Sequence, residues 1–235
     1  MYSAHAVEAW LRTCPERVEV IEFLPASGAR GKYLRDLAAE KGVHCRFLDA
    51  KEAVKDEQLA SVGWRAIVRP YPYASLSAFT RLEGPQLVVV LDHVMDPRNV
   101  GAVIRSTLAA GGAGVVIPRD RAARITAAVE SAAAGACAYL PVAQVVNLSR
   151  ALEELKRAGY WVAALDARAE QSLFGTELPP RIAVVTGGEA GLSRLVRETA
   201  DFLVHIPMDP RVESLNTAVA ASLACFWWRK GQAET

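Results

Sequence analysis

Polar residues in three short segments have types and spacings that could bind a ligand or take part in chemistry. In the first segment, Asn99 follows an Asp-Pro-Arg sequence, and Arg105 follows Asn99 by six residues in a run rich in Val and Ile. A guanidinium keeps its charge and is costly to bury without an anionic partner. That partner could be a bound anion, or a carboxylate of the chain itself such as Asp92 or Glu189.

The second segment is a glycine-rich turn after an apolar run, Val184-Val-Thr-Gly-Gly-Glu-Ala-Gly-Leu-Ser-Arg194. Glycines let the backbone approach a ligand closely. The turn lacks the Gly-x-Gly-x-x-Gly spacing of a dinucleotide site, which argues against a Rossmann-type dehydrogenase. Elsewhere, Gly28-Ala-Arg-Gly-Lys32 has glycines too close together for a phosphate loop.

The third segment is Ile206-Pro-Met-Asp-Pro-Arg-Val-Glu-Ser-Leu-Asn216. Proline cannot continue a strand ladder, so the preceding strand should end at Pro207. Ser214 and Asn216 are both residue types that cap helices, and small apolar residues follow them. Amides and short polar side chains therefore meet beside a sheet edge, where α/β proteins bind ligands. A capped helix without a ligand would show the same pattern.

Strand and helix patterns alternate along the chain, which predicts an α/β fold. The run from Leu87 to Leu91 is apolar throughout, which is typical of a parallel strand buried on both faces. We predict strands at residues 18–24, 43–48, 66–69, 87–91, 114–117, 161–165, 182–185 and 202–206. We predict helices at residues 31–41, 51–60, 99–110, 125–134, 148–158, 192–199 and 215–229.

Breaks rich in Pro, Gly and Ser divide this alternation into two parts. They predict a small α/β domain at residues 1–76, a linker at residues 77–85 and a larger α/β domain at residues 86–235.

Composition limits the classes of partner. The chain has 27 Lys and Arg against 26 Asp and Glu, a net charge of +1, so an RNA site would have to be a local patch. The 4 cysteines are far apart, without a Cys-x-x-Cys pair, which predicts buried thiols in a reducing compartment and no metal site. There is no run of about 18 apolar residues and no signal-peptide pattern, which predicts a cytoplasmic chain with no membrane span.

One basic patch is a candidate for RNA contact. Arg30, Lys32 and Arg35 lie where a loop is expected to enter a helix, and helix amides favour phosphate. Asp36 and Glu40 are close in sequence, so an ordinary solvated surface is the alternative.

In their order and spacing, the three segments together resemble the SpoU/TrmH family of RNA ribose 2′-O-methyltransferases, of the SPOUT superfamily. The resemblance covers roughly residues 86 to 228, and the glycine segment is one residue shorter than the usual Gly-x-Glu-Gly-x-Gly. It implies a trefoil-knotted C-terminal domain with a parallel sheet, S-adenosyl-L-methionine as cofactor, no metal, and a homodimer with sites shared between protomers. Residues 1 to 80 are similar to the family's L30e-like RNA-recognition domain.

The resemblance also implies roles for individual residues. It implies that Arg105 could act as a phosphate-assisted base. Because a guanidinium holds its proton too strongly for an ordinary base, the alternative is that Arg105 clamps a phosphate of the target nucleotide and stabilises the developing alkoxide. The positions matching the family's catalytic residues are Asn99, Arg105, Glu189, Ser214 and Asn216. The positions matching its cofactor-binding residues are Gly187, Ile206, Met208 and Leu215.

The expected substrate is a ribose 2′-hydroxyl of RNA, most simply a guanosine of 23S ribosomal RNA. A tRNA, or an rRNA site whose methylation blocks an antibiotic, is the alternative within the same enzyme class. A non-catalytic RNA-binding module is the alternative from another class, which the shortened glycine segment would favour.

Overall fold

The computed structural model describes residues 1–53 and 56–233. The first part of the chain folds around a three-stranded sheet. The strand order is β2-β1-β3, with β2 parallel and β3 antiparallel to the central β1. The strands are β1 (Val18–Phe23), β2 (His44–Phe47) and β3 (Trp64–Val68). The helices are α1 (Ala4–Thr13), α2 (Gly28–Glu40), α3 (Ala50–Ala53) and α4 (Glu57–Val62).

The second part folds around a seven-stranded sheet in the order β6-β5-β4-β9-β7-β10-β8, and each neighbouring pair is parallel. The strands are β4 (Gln86–Asp92), β5 (Gly114–Pro118), β6 (Val142–Val145), β7 (Trp161–Leu165), β8 (Gln171–Ser172), β9 (Arg181–Gly187) and β10 (Phe202–His205). The helices are α5 (Ser77–Thr80), α6 (Pro97–Ala109), α7 (Ala127–Ala132), α8 (Leu148–Arg157), α9 (Arg194–Thr199) and α10 (Thr217–Ala233).

The apolar side chains of β4 pack into the cores on both faces of this sheet. Leu87, Val89 and Leu91 join the core on the side of α6, α7 and α10, whereas Val88 and Val90 join the core on the side of α8 and α9. Successive side chains of a strand point to opposite faces, so a strand covered on both sides must be apolar throughout. The prediction for this strand is confirmed.

The predicted elements differ from the observed ones in a few places. The predicted strands are all present, but strands β6 and β8 and helices α1 and α5 were not predicted. Helix α2 begins at Gly28, three residues before the predicted start. The predicted helix at residues 51–60 corresponds to α3 and α4, and residues 54 and 55 between them lie outside the described residues.

A buried ion pair joins the two parts of the chain. Arg17 of the N-terminal part contacts Glu130 of α7 through Nη1–Oε2 at 3.0 Å and Nη2–Oε1 at 2.5 Å. Trp10 Nε1 donates to Glu130 Oε2 at 2.9 Å, and the Arg17 guanidinium lies 4.1 Å from the centre of the Trp10 ring. The domain boundaries at residues 76 and 86 stay a prediction; within the expected linker, residues 77–80 form α5 and Phe79 is buried.

Candidate active site

The three predicted segments meet at one cavity of about 430 Å³, at the carboxyl edge of the seven-stranded sheet. It is lined by eight of the nine predicted site residues of the second part: Asn99, Gly187, Glu189, Ile206, Met208, Ser214, Leu215 and Asn216. The prediction that these segments converge is confirmed. The ninth residue, Arg105, does not line the cavity.

Asn216 ties the third segment to the first. Its Oδ1 accepts from the N–H groups of Ala218 at 2.9 Å and Val219 at 3.3 Å, so it caps α10. Its Nδ2 donates to Asn99 Oδ1 at 2.9 Å, which links the start of α10 to the first turn of α6. Ser214 was expected to share the capping role, but it lies before the helix, exposed, and its side chain makes no hydrogen bond with any described residue.

The shortened glycine segment closes as a tight turn. Gly191 N donates to Gly188 O at 2.9 Å, and Gly191 has a φ of +74°, which favours glycine. A Cβ at Gly187 would lie 2.3 Å from Gly191 C, and a Cβ at Gly188 would lie 2.5 Å from His93 O. Both glycines are therefore required by close backbone contacts. Thr217 Oγ1 also donates to Gly187 O at 3.0 Å, which joins this turn to α10.

Asp92 fixes the glycine turn from the end of β4. Its fully buried carboxylate accepts from Ser193 N at 2.6 Å and lies 2.5 Å from His93 Nδ1, while its backbone O accepts from Gly188 N at 3.0 Å. The sequence suggested Asp92 only as an internal partner of Arg105. An acidic residue at the end of a buried strand was the available signal for this role.

A charged cluster on the cavity wall was not predicted. Asp166, after β7, is buried and pairs with Arg197 of α9 through Oδ2–Nη1 at 2.5 Å. Its Oδ1 also accepts from Arg168 N at 3.0 Å, and the Arg168 side chain extends into solvent. Asp166 and Arg168 share the loop after β7, but Arg197 comes from α9, so no local sequence pattern marks Asp166 and Arg197 as partners.

Arg105 lies exposed on α6, outside the cavity of its own chain. Its side chain makes no hydrogen bond or ion pair with any residue in 1–53 or 56–233. The alternative of an internal salt bridge to Asp92 or Glu189 is therefore wrong. The next residue, Ser106, accepts a hydrogen bond from Ser222 Oγ of α10 at 2.7 Å. Arg105 thus stands beside the contact between α6 and α10.

The N-terminal basic patch lies within α2 rather than in a loop that enters it, because the helix begins at Gly28. Arg30 Nη2 pairs with Glu8 Oε2 at 2.7 Å, and Arg35 Nε lies 3.7 Å from Asp36 Oδ1. The pKa of Glu8 is lowered, chiefly by the hydrogen bond from Tyr33, with Arg12 and Arg30 adding to it. Lys32 alone of the three predicted cations has no side-chain partner among the described residues.

Other predicted features concern thiols, metals and membranes. Cys137 and Cys225 are buried, but Cys14 and Cys45 are only half-buried, so the prediction of four buried thiols is partly wrong. Burial raises the pKa of the Cys225 thiol to about 12. Within the described ranges, no group of three or more His, Cys, Asp or Glu could hold a metal ion. None of the described helices is long and apolar enough to cross a membrane.

Comparisons with known proteins identify relatives of this chain. Residues 86–226 match the model of the SpoU rRNA Methylase family. The chain is 39% identical over 218 residues to the 23S rRNA (guanosine-2′-O-)-methyltransferase RlmB of Xylella fastidiosa, covering 88% of this chain and 87% of the relative. It is 38% identical over 232 residues to the protein of the same name from Pseudomonas syringae pv. tomato, covering 96% and 93%.

The fold is similar to that of solved methyltransferases. The SpoU methyltransferase AviRb from Streptomyces viridochromogenes, in complex with AdoMet, superposes with a TM-score of 0.84 at 21% identity over 99% of this chain and 89% of that chain. This likeness confirms the predicted α/β fold with a parallel sheet, which has seven strands where the sequence predicted five.

Proposed function

Because the chain belongs to the SpoU rRNA methylase family, we propose that it transfers a methyl group from S-adenosyl-L-methionine to a ribose 2′-hydroxyl of 23S ribosomal RNA, at a guanosine. The observation that carries the proposal is the convergence of the three motif segments on one cavity at the carboxyl edge of the sheet. Parallel α/β sheets bind ligands at this edge.

The cavity suits the cofactor in size and chemistry. Its volume falls in the range of small-molecule sites. Leu165, Val204, Ile206 and Leu215 give it an apolar wall for an adenine ring, and the turn at Gly187 brings backbone close to the ligand. When bound there, S-adenosylmethionine supplies an electrophilic methyl group. We assign Gly187, Ile206, Met208 and Leu215 to holding it.

We assign the polar residues at the mouth of the cavity to orienting the ribose. Asn216 donates to Asn99 Oδ1, so the amide NH₂ of Asn99 keeps its donors for a substrate oxygen. Ser214 and Glu189 line the cavity without a side-chain partner in the described parts of the chain. Holding the 2′-hydroxyl in line with the methyl group accounts for much of the rate.

Arg105 acts on the cavity of the partner protomer in this proposal. Its guanidinium is exposed and makes no hydrogen bond or ion pair with a described residue, so it is available to bind an anion brought by the substrate. Contact with the target phosphate would position the nucleotide, and the positive charge would stabilise the developing 2′-alkoxide.

The homodimer that this requires is supported by an apolar stripe on α10. Val219, Leu223 and Phe226 are 48%, 36% and 50% exposed and lie at helical spacing on one face. Such a face beside the exposed side of α6 suits an isologous interface. Within the same proposal the segment from Ile206 to α10 passes through a trefoil knot, the N-terminal sheet belongs to an L30e-like RNA-recognition domain, and the protein acts in the cytoplasm.

Methylation of RNA with labelled cofactor tests the proposed function. Purified protein is incubated with in-vitro-transcribed 23S rRNA, and the position of ribose methylation is mapped. We expect one modified guanosine in 23S rRNA. Methylation of tRNA instead would change the substrate, and absence of transfer together with absence of S-adenosylhomocysteine binding would contradict the enzyme assignment.

The substitution Arg105→Lys separates geometry from charge in the same assay. We expect loss of most turnover, since a lysine cannot make the bidentate phosphate contact. Affinity for S-adenosylhomocysteine should be nearly unchanged because Arg105 does not line the cofactor cavity. The matched control is Arg157→Lys, an exposed arginine at the far end of α8. Near-normal turnover of Arg105→Lys would remove Arg105 from the reaction.

A further inference from the structure

A group of exposed cations lies at the carboxyl edge of the sheet after β5, which is separated by β4 from β9, a strand whose end lines the cavity. The segment 119–124, which we call the arginine loop, follows β5 and precedes α7. It contains Arg119, Arg121 and Arg124, all exposed, and one acidic residue, Asp120.

These arginines are weakly paired or not paired at all. Arg119 Nε lies 3.8 Å from Asp120 Oδ2, with both side chains more than half exposed. The side chains of Arg121 and Arg124 make no hydrogen bond or ion pair with any residue that the structure describes. By contrast, Arg98 near the same edge is paired with Asp96 at 3.1 Å, and Arg30 of the N-terminal patch is paired with Glu8. The arginine loop therefore carries a local excess of positive charge.

The backbone of the arginine loop is held in place at three points. Arg119 N donates to Val145 O at 2.8 Å, and Ala123 N donates to Val94 O at 2.9 Å. Ile125 N donates to Tyr73 Oη at 2.8 Å, which fastens the end of the loop to the chain segment before α5. Arg121 has a φ of +53°, a left-handed conformation that L residues seldom adopt without support. The guanidinium groups thus extend from an ordered backbone.

The arginine loop is hydrogen-bonded to the chain segment that leads to the cavity. Ala123 is bonded to Val94, and five residues after Val94 the chain reaches Asn99 at the mouth of the cavity. An RNA strand whose ribose enters the cavity has to run along this edge of the sheet. Its neighbouring phosphates would then come near β4 and β5, whose carboxyl ends are adjacent.

We propose that the arginine loop binds the phosphodiester backbone of the RNA substrate beside the target nucleotide, with Arg121 and Arg124 as its main contacts. This inference rests on the proposed function. Guanidinium groups bind phosphate oxygens in bidentate fashion and neutralise their charge. Such contacts fix the register of the RNA without reading its sequence.

The test compares two double variants of equal charge. Arg121→Gln/Arg124→Gln removes the proposed contacts, and Arg81→Gln/Arg157→Gln removes two exposed arginines near the opposite edge of the sheet, before β4 and at the end of α8. Affinity for in-vitro-transcribed 23S rRNA is measured as a function of KCl concentration. Each lost phosphate contact should lower the slope of log K against log[salt] by about 0.7–0.9, so the first variant should lose about 1.4–1.8.

We expect the control double variant to keep the wild-type slope. Arg121→Lys/Arg124→Lys should restore most of the slope, because lysine keeps the charge that releases counterions. In steady-state methylation, the glutamine variant should raise the KM for RNA and leave kcat and S-adenosylhomocysteine affinity near wild type. An unchanged salt slope and KM in the glutamine variant would overturn this inference, even if the wild-type protein methylates RNA. Failure of the wild type to methylate any RNA would instead contradict the proposed function.

Discussion

Charged side chains are used differently at the junction of the two sheets and around the cavity. At the junction, Arg17 and Glu130 are 5% and 2% exposed, and the Arg17 guanidinium donates two hydrogen bonds to the Glu130 carboxylate beside the Trp10 ring. By contrast, Glu189 on the cavity wall, and Arg105 and Arg121 outside the cavity, are exposed, and none of the three has a side-chain hydrogen bond or ion pair with a described residue.

Charged side chains face different physical requirements when they are buried and when they are exposed. A buried charge must be matched within the protein, because removal of its partner leaves an uncompensated ion in a region of low dielectric constant. An exposed charge is solvated without a partner and can be matched by a ligand when one arrives. The junction therefore holds the two sheets together, whereas the exposed, unpaired charges stay available for a ligand.

The largest effect on stability is expected at the junction. Glu130→Ala removes the acceptor for both Arg17 and Trp10, and Arg17 Nε already has no partner among the described residues. The free energy of unfolding should fall by about 3–5 kcal/mol. Urea denaturation measures this, with the exposed Glu153→Ala of α8 as control. A loss below about 1 kcal/mol would mean that the junction is not a buried ion pair.

A double substitution sharpens this result. Arg17→Met/Glu130→Leu replaces both ions with apolar side chains of similar length, which often restores or increases stability. Recovery of the lost free energy would show that pairing matters because the site is buried, rather than because the ion pair is intrinsically favourable. A double variant as unstable as Glu130→Ala would instead point to the specific bond from Trp10.

The next effect concerns the cavity itself. Gly187→Ala places a methyl group within 2.3 Å of Gly191 C, so the glycine turn has to shift. Overpacking of this kind costs about 1–3 kcal/mol, and the same cost in binding free energy would lower S-adenosylhomocysteine affinity by about 5- to 150-fold. Calorimetry compares it with Gly175→Ala, whose added Cβ has no neighbour closer than 3.9 Å. Equal affinities in the two variants would contradict the assignment of Gly187.

A smaller effect is expected at Asp92. Asp92→Asn keeps the shape of the side chain but replaces a charged acceptor with a neutral one at Ser193 N, 2.6 Å away. Charge-assisted hydrogen bonds are roughly twice as strong as neutral ones. We expect S-adenosylhomocysteine affinity to fall by about 1 kcal/mol, roughly fivefold. Wild-type affinity in this variant would show that the glycine turn does not depend on the Asp92 charge.

The sequence predicted the elements whose patterns are local. The apolar run of β4 and the helix start at Asn216 follow from residues close together in the chain, and both are present. Strand β6 was missed because its four residues include Gln144 and are too few to set a period. Helix α1 was missed for a different reason, since its buried face is completed by α7 and the turn at residues 136–138.

The meeting of the three motif segments at one cavity could be predicted from the sequence. Eight motif residues line the cavity because the carboxyl ends of parallel strands share one edge. The pairs Arg17–Glu130 and Asp166–Arg197 could not be read from the sequence, because their members lie on distant segments that only tertiary packing joins. The sequence indicated that Arg105 would need an anionic partner if it were buried, but it could not show that Arg105 is exposed in its own chain.

A heterodimer of two defective protomers tests most directly whether Arg105 serves the cavity of its partner. Protomers carrying Arg105→Ala and Gly187→Ala are co-expressed with different tags, and the mixed species is isolated by both tags. One of its two shared sites then combines an intact cavity with an intact arginine, so we predict about half of the wild-type methylation rate per dimer. A mixed species as inactive as the Arg105→Ala homodimer would contradict the account, as would failure to recover any dimer.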